Sequence, residues 1–415
     1  MKIFKTSNYK PCILAGSAVL LFLNAIPALG QTFDDHINAA RSSYEAYDFA
    51  EATRLLGLAR NKMTASSEIE KDMANSLQKQ IDLAKRYITR VEHLQILDSI
   101  SVGKEDFFKY YKLPASAGYL DGTDALPYEV QDVEYVFTNE NDDFKMWAQP
   151  DSTGFYNIAE SLLLTDGTWS SPAMAPLNLG GGKNAEFPFM MSDGVTLYYA
   201  SDGDASIGGY DIFVATRDAQ TGEYLQPQNL GMPYNSPFDD YLLAIDEENG
   251  VGWWVTDRNQ EEDYLTLYLF KLNDTRRNYD SEEEETDIRD LALIKDFKAT
   301  QDPDTDYSEI LEAIRTIPVE KRKHADFHFP RKGGNEYTTL DDFQTTEGRR
   351  AMKRYLQSKE VLDLRLNELS ELRRQYAGNP SSELKQRIRE LEQSTEKGRE
   401  DVKKMRNEVY HAEGN

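Results

Sequence analysis

Few residues in this sequence are suited to chemistry. His324 and His328 stand four apart in "HADFHFP". On a helix they would share a face. On a strand they would also share one, but about 13 Å apart, too far for a single metal ion. No Glu completes an HExxH arrangement, so two surface histidines are expected. "SDGDASIGGYD" carries Asp202, Asp204 and Asp211. A calcium loop of the EF-hand type wants acids at alternate positions and a closing Glu. That order is missing, and Asp with Gly is ordinary tight-turn chemistry. No Gly-x-Ser-x-Gly elbow is present, so a serine hydrolase has no support. With 72 Asp and Glu in the chain, no carboxylate pair stands out as acid and base. We expect no catalytic residue, no metal and no cofactor.

The aromatics carry a stronger signal. Trp147, Tyr198, Tyr199, Tyr210, Trp253 and Trp254 fall in segments patterned as strands. Adjacent strand residues point to opposite faces. Either both faces are buried between packed sheets, or some rings line a surface for a peptide, a glycan or a partner protein. These six are the candidate partner-binding residues.

The segments that position them repeat. "YNIAES" from Tyr156 matches "YDIFVA" from Tyr210, and "MWAQ" from Met146 matches "YYAS" from Tyr198. "DGTWSSP" (Asp166 to Pro172) matches "TGEYLQP" (Thr221 to Pro227). "LNLGGGKN" (Leu177 to Asn184) matches "QNLGMPYN" (Gln228 to Asn235). A third copy runs from "YLLAIDEENGVGWWVTD" at Tyr241 to "LTLYLFKL" ending at Leu272. The offsets lie between 51 and 56 residues. Each copy holds about four short strands separated by Gly, Asp or Asn, the mark of a propeller blade.

"FPFMMSDGVTLYYASDGDASIGGYDIF" (Phe187 to Phe213) resembles the PD40 repeat, the WD40-like unit of TolB-type propellers in bacterial envelope proteins. The third copy departs from it, with Glu-Glu-Asn-Gly in place of Ser-Asp-Gly and no Gly-Gly-Tyr-Asp. Three blades are few for a closed ring. "DFHFPRKGGNEYTTL" (Asp326 to Leu340) reads as a hairpin. With Leu94 to Val102 it is expected to supply a fourth blade. An open three-blade fragment is the alternative.

The flanks are helical. Over residues 31–93, Tyr44, Tyr47, Phe49, Ala52, Leu56 and Ala59 follow tetratricopeptide-like spacing, with Asp48 separating two helices. A third helix follows, and a plain three-helix bundle fits equally. The propeller is assigned to 94–273. Residues 274–325 form an acidic linker with short helices at "DIRDLALIKDF" and "YSEILEAIRTI". A hairpin occupies 326–344. Residues 345–415 form an antiparallel helical hairpin or coiled coil, broken at "AGNPSS" and with a second seam weakened by Thr395 and Gly398. These helices either close on each other or pair with those of another chain. The fold class is therefore multidomain α plus β.

The net charge of −25 argues against a polyanionic partner such as nucleic acid. Lys2, Lys5 and Lys10, then the apolar run Cys12 to Ala28, then Gly30 and Gln31, read as a signal peptide over 1–30. Its removal takes away Cys12, the only cysteine, so disulfides and thiolate metal sites are not expected. The chain is then exported and not integral to the membrane. PD40 propellers joined to tetratricopeptide helices resemble periplasmic adaptors of outer-membrane complexes. The resemblance implies a non-enzymatic scaffold whose partners are envelope proteins of an outer-membrane or secretion-associated complex. The alternative is a glycan-binding or glycan-processing propeller, which needs aromatics on one rim or convergent acids.

Overall fold

The computed structural model describes residues 32–413 except 65, 106, 128–129, 131–132, 176–182, 280–286, 318–326, 328, 332–335, 338 and 379. The expected signal peptide, His324, His328 and most of the acidic run at 279–287 lie outside the described residues. The chain divides into two compact units. One holds the described residues of Met1–Leu163 and Ser170–Glu320, the other those of Leu164–Trp169 and Lys321–Asn415.

The first unit opens with three helices, α1 (Phe33–Glu45), α2 (Phe49–Arg60) and α3 (Glu68–Tyr87). Thr32 and Asp35 form a capping box on α1, and Asp48 accepts from Glu51 N–H to cap α2. Asp48 thus separates the helices as its side-chain chemistry dictates. Ala40, Ala52, Leu56, Ala59, Leu77, Ile81 and Ala84 are buried between them. The alanines let the helices approach closely while leucine and isoleucine fill the groove.

A long strand follows, β1 (Gln95–Gly103), and then three runs of strands. The first run is β2 (Tyr119–Asp121), β3 (Val136–Thr138), β4 (Phe144–Pro150), β5 (Tyr156–Leu162) and β6 (Ala173–Met174). The second is β7 (Ala185–Met190), β8 (Thr196–Ser201), β9 (Asp211–Thr216) and β10 (Gln228–Asn229). The third is β11 (Asp240–Asp246), β12 (Val251–Thr256) and β13 (Tyr264–Lys271). Each run forms one antiparallel sheet in chain order, and β1 joins the third sheet outside β13. Strand β7 packs against β3, β4 and β5 of the first sheet, and β11 against β7, β8 and β9 of the second, so β7 and β11 are the inner strands on which successive sheets stack. Two short helices, α4 (Ile288–Leu293) and α5 (Ser308–Thr316), complete this unit at the two places where helices were expected.

The sequence repeat has a structural counterpart. Strands β7 and β11 each carry a register shift near their start, at Glu186/Phe189 and Tyr241/Leu243. Asn184 N–H donates to Asp202 Oδ1 at 2.7 Å, and Asp239 N–H donates to Asp257 Oδ1 at 2.8 Å. Asn184 Oδ1 accepts from Tyr156 N–H at 3.0 Å, and Asp239 Oδ1 accepts from Tyr210 N–H at 2.8 Å. Each clasp ties the start of one sheet's inner strand to the preceding sheet. Asn184 therefore corresponds to Asp239, not to Asn235 as the matched "NLG" segments imply.

Tyr135 just before β3, Phe187 on β7 and Tyr241 on β11 meet in a row, with Phe187 6.2 Å from Tyr135 and 5.4 Å from Tyr241, and Phe107 and Phe108 pack against them. Phe107 lies 5.7 Å from Phe187 and 6.4 Å from Tyr241, and Phe108 lies 5.9 Å from Tyr135, centroid to centroid. An aromatic plug supplied by the segment between β1 and β2 thus occupies the meeting line of the sheets.

The second unit contains β14 (Phe329–Pro330), β15 (Glu336–Tyr337), α6 (Thr346–Gly378) and α7 (Ser382–Ala412). Among the described residues the expected fourth blade is not seen. β14 and β15 pair only with each other among the described residues, and β1 is taken by β13. The reason is physical: β1 matches β13 over most of its length and buries Ile96 and Val102 there. The helices are antiparallel, with ion pairs Arg373–Glu392 at 2.7 Å and Arg387–Glu368 at 2.9 Å. Thr395 and Gly398 lie in the seam. Both are buried, and a Cβ on Gly398 would come within 3.1 Å of Leu362 Cδ1. A side chain here would require Leu362 to shift.

The chain is a mixed α and β protein with antiparallel sheets and a helical C-terminus. No described helix is long and apolar enough to cross a membrane.

Candidate functional site

Four of the six candidate aromatics are core residues. Trp147 is buried in a cluster with Val133, Val136 and Ala159, and its indole N–H donates to Gln149 Oε1 at 2.9 Å. Tyr199 is buried and stacks on Phe213. Trp253 and Trp254 are adjacent and both buried. This is because both faces of the third sheet are covered. Tyr111 lies beside Trp253, while Tyr234, Tyr268 and Phe270 surround Trp254. These four rings therefore offer no surface to a partner. Tyr198 and Tyr210 are half-buried, against the edge of the same core.

Tyr210 leads to a polar cluster that sequence patterning alone did not single out. Its hydroxyl donates to Glu186 Oε1, and its N–H to Asp239. Asp239 in turn donates its N–H to Asp257. Burial pushes Glu186 up to about 7, with Asp202 and Glu134 adding to the rise and the Tyr210 hydrogen bond opposing it. Burial, followed by the nearby Asp239 charge, pushes Asp257 up to about 7, with Lys104 opposing. Asp239 is also raised, chiefly by burial. The cluster gathers carboxyls raised by burial at the seam of the second and third sheets. One signal could have revealed it: Asp202 and Asp257 recur one repeat apart, each before a turn.

These carboxyls set a pH dependence. A raised acid is protonated in the fold while it is ionised in the unfolded chain, whose carboxyls titrate near about 4.3. Stability is then greatest below that value and falls as pH rises to about 7. Glu186→Gln is expected to raise the melting temperature at pH 8 and to flatten its fall between pH 5 and 7. Calorimetric scans across that range check it. An unchanged slope would contradict the assignment.

The acids once considered for calcium do other work. Asp211 is buried and accepts from Ile207 N–H at 2.8 Å, Gly208 N–H at 3.0 Å and Asn229 Nδ2 at 2.6 Å. Asp202 holds Asn184, and Asp204 is exposed. No group of three or more His, Cys, Asp or Glu side chains among the described residues could hold a metal ion.

The loop around Asp211 also docks the helices. Tyr44 Oη donates to Ile207 O, and Gln80 Nε2 donates to Gly208 O at 2.8 Å. A Cβ on Gly208 would overlap Phe238 O, so "IGGYD" is Gly-rich for close packing. Beside it, Arg258 pairs with Asp240 at 3.0 Å, both buried, and its Nη2 also donates to Pro233 O and Tyr234 O. A cavity of about 240 Å³ lies at the opposite ends of the inner strands, lined by Ser116, Phe189, Ser192, Ile245, Glu247 and Glu248. Ser192 and Ser116 hydroxyls already engage Glu247 and Glu248. The space is below the roughly 300–1,000 Å³ of small-molecule sites.

Neither the plugged inner line nor this small cavity marks a substrate site. The chain matches no family model, no curated protein and no solved structure. Its reading therefore rests on its own geometry.

Proposed function

We propose that this chain is a non-enzymatic, exported scaffold of the cell envelope, built on a small three-bladed propeller of the PD40 type. The carrying observation is a clasp that recurs between successive sheets: Asn184 accepts from Tyr156 N–H and is held by Asp202, and Asp239 accepts from Tyr210 N–H and is held by Asp257. The strand order within each sheet and the recurrence of these clasps support the blade reading. The aromatic plug supports a solid core in place of a ligand channel. The hairpin α6–α7, with helices of 33 and 31 residues, is a long element suited to protein contacts. Partners would be envelope proteins of an outer-membrane or secretion-associated complex. A glycan-binding role is less favoured, because four of the six candidate aromatics are buried.

Cell fractionation with intact-mass analysis tests the export half of this reading. The expected result is a protein that begins at Gln31 and travels with the envelope. A cytosolic protein retaining residues 1–30 would contradict it.

A further inference from the structure

We propose that the outer edge of β1 receives an extended, lysine- or arginine-bearing segment of a partner protein as an added strand of the third sheet. This rests on the scaffold reading and names one of its contacts. The first and second sheets end outward in β6 and β10, each of two residues. Such short edges give another chain little to pair with. The third sheet ends in β1, which has nine residues.

One end of that edge is covered. Thr300 Oγ1 accepts from Ile96 N–H at 2.9 Å, and Gln301 Nε2 donates to Ile96 O at 2.8 Å. From Asp98 to Gly103 no strand among the described residues lies on the outer side. Ser99 N–H is held by the Asp98 carboxylate at 2.9 Å, which places it outside the ladder with β13. By alternation, Ser101 and Gly103 also turn their backbone groups outward. Ile100 lies opposite the buried Leu267 yet is 39 % exposed. It is a core-type side chain lacking an outer neighbour, and an added strand would cover it.

Charge chooses the occupant. Asp98 lies on the edge, and exposed Glu261, Glu262 and Asp263 flank its Gly103 end. The nearby lysines act on acids of their own: Lys271 on Asp302, and Lys104 on Asp239 and Asp257. Backbone pairing would supply affinity, and the acidic flanks would select basic side chains.

The test titrates the mature full chain with a peptide of about ten alternating Val and Lys residues, against a Val/Glu peptide of equal length. Binding is read by calorimetry and by amide exchange. The Val/Lys peptide should bind and slow exchange at Ser101 and Gly103, while the Val/Glu peptide should not. Glu261→Lys with Glu262→Lys should weaken binding about tenfold. Ser101→Pro, which removes one donor at an edge that tolerates proline, should do so too. Equal binding of the two peptides, no binding, or protection elsewhere would overturn the proposal. Partners captured equally by the wild type and Ser101→Pro would sink this edge while leaving the scaffold reading in place.

Discussion

Replacing Arg258 by methionine is expected to lower the stability of the first unit by about 3–5 kcal/mol, the range for breaking a buried ion pair from one side. Arg258 is buried with Asp240, and its Nη2 also reaches Pro233 O at 2.8 Å and Tyr234 O at 2.9 Å. Its loss strands the Asp240 carboxylate and two carbonyls. Burial already pushes Asp240 up, and Arg258 opposes that rise. Without the guanidinium the carboxyl rises further, so the variant's deficit should shrink as pH falls and Asp240 protonates. Urea unfolding at pH 8 and pH 5 measures both effects. Adding Asp240→Asn to the variant should restore part of the loss at pH 8. A single variant within about 1 kcal/mol of the wild type would show that the pair is not the clamp described here.

Trp254→Ala should cost about as much, roughly 3–5 kcal/mol, through the cavity it leaves. The ring is fully buried and lies 4.8 Å from Tyr268, 5.4 Å from Phe270 and 5.6 Å from Tyr234. The same substitution separates two roles. A core residue lowers the unfolding midpoint, and any loss of partner binding follows unfolding. A binding residue loses the partner while the midpoint holds. The first outcome is expected, and the second would return Trp254 to the surface role its sequence position suggested.

Much of the fold was legible because its determinants are local. Alanine spacing and Asp48 gave the helix pair, and the four-and-three step gave α6 and α7. Recurring strands with Gly, Asp or Asn at the turns gave the three sheets. What was not legible depends on distant contacts. Ile96, Asp98, Ile100 and Val102 read as a strand, but nothing local shows that its partner is β13, far along the chain. For the adjacent Trp253 and Trp254, the sequence left open whether both faces are buried or one ring lines a surface. Both are buried because Tyr111 and Tyr234 arrive from other segments to cover the two faces. Glu186 and Asp257 were hidden among many acids, since their burial is a property of the assembled seam.

Affinity capture from cross-linked envelope, with mass spectrometry of the captured proteins, tests the scaffold claim most directly. The full chain should bring down a defined set of outer-membrane or secretion proteins. That set should be reduced when residues 345–415 are deleted, while the first unit stays folded by circular dichroism. Capture of no protein beyond the chain itself, from cells in which it is folded and exported, would contradict the account.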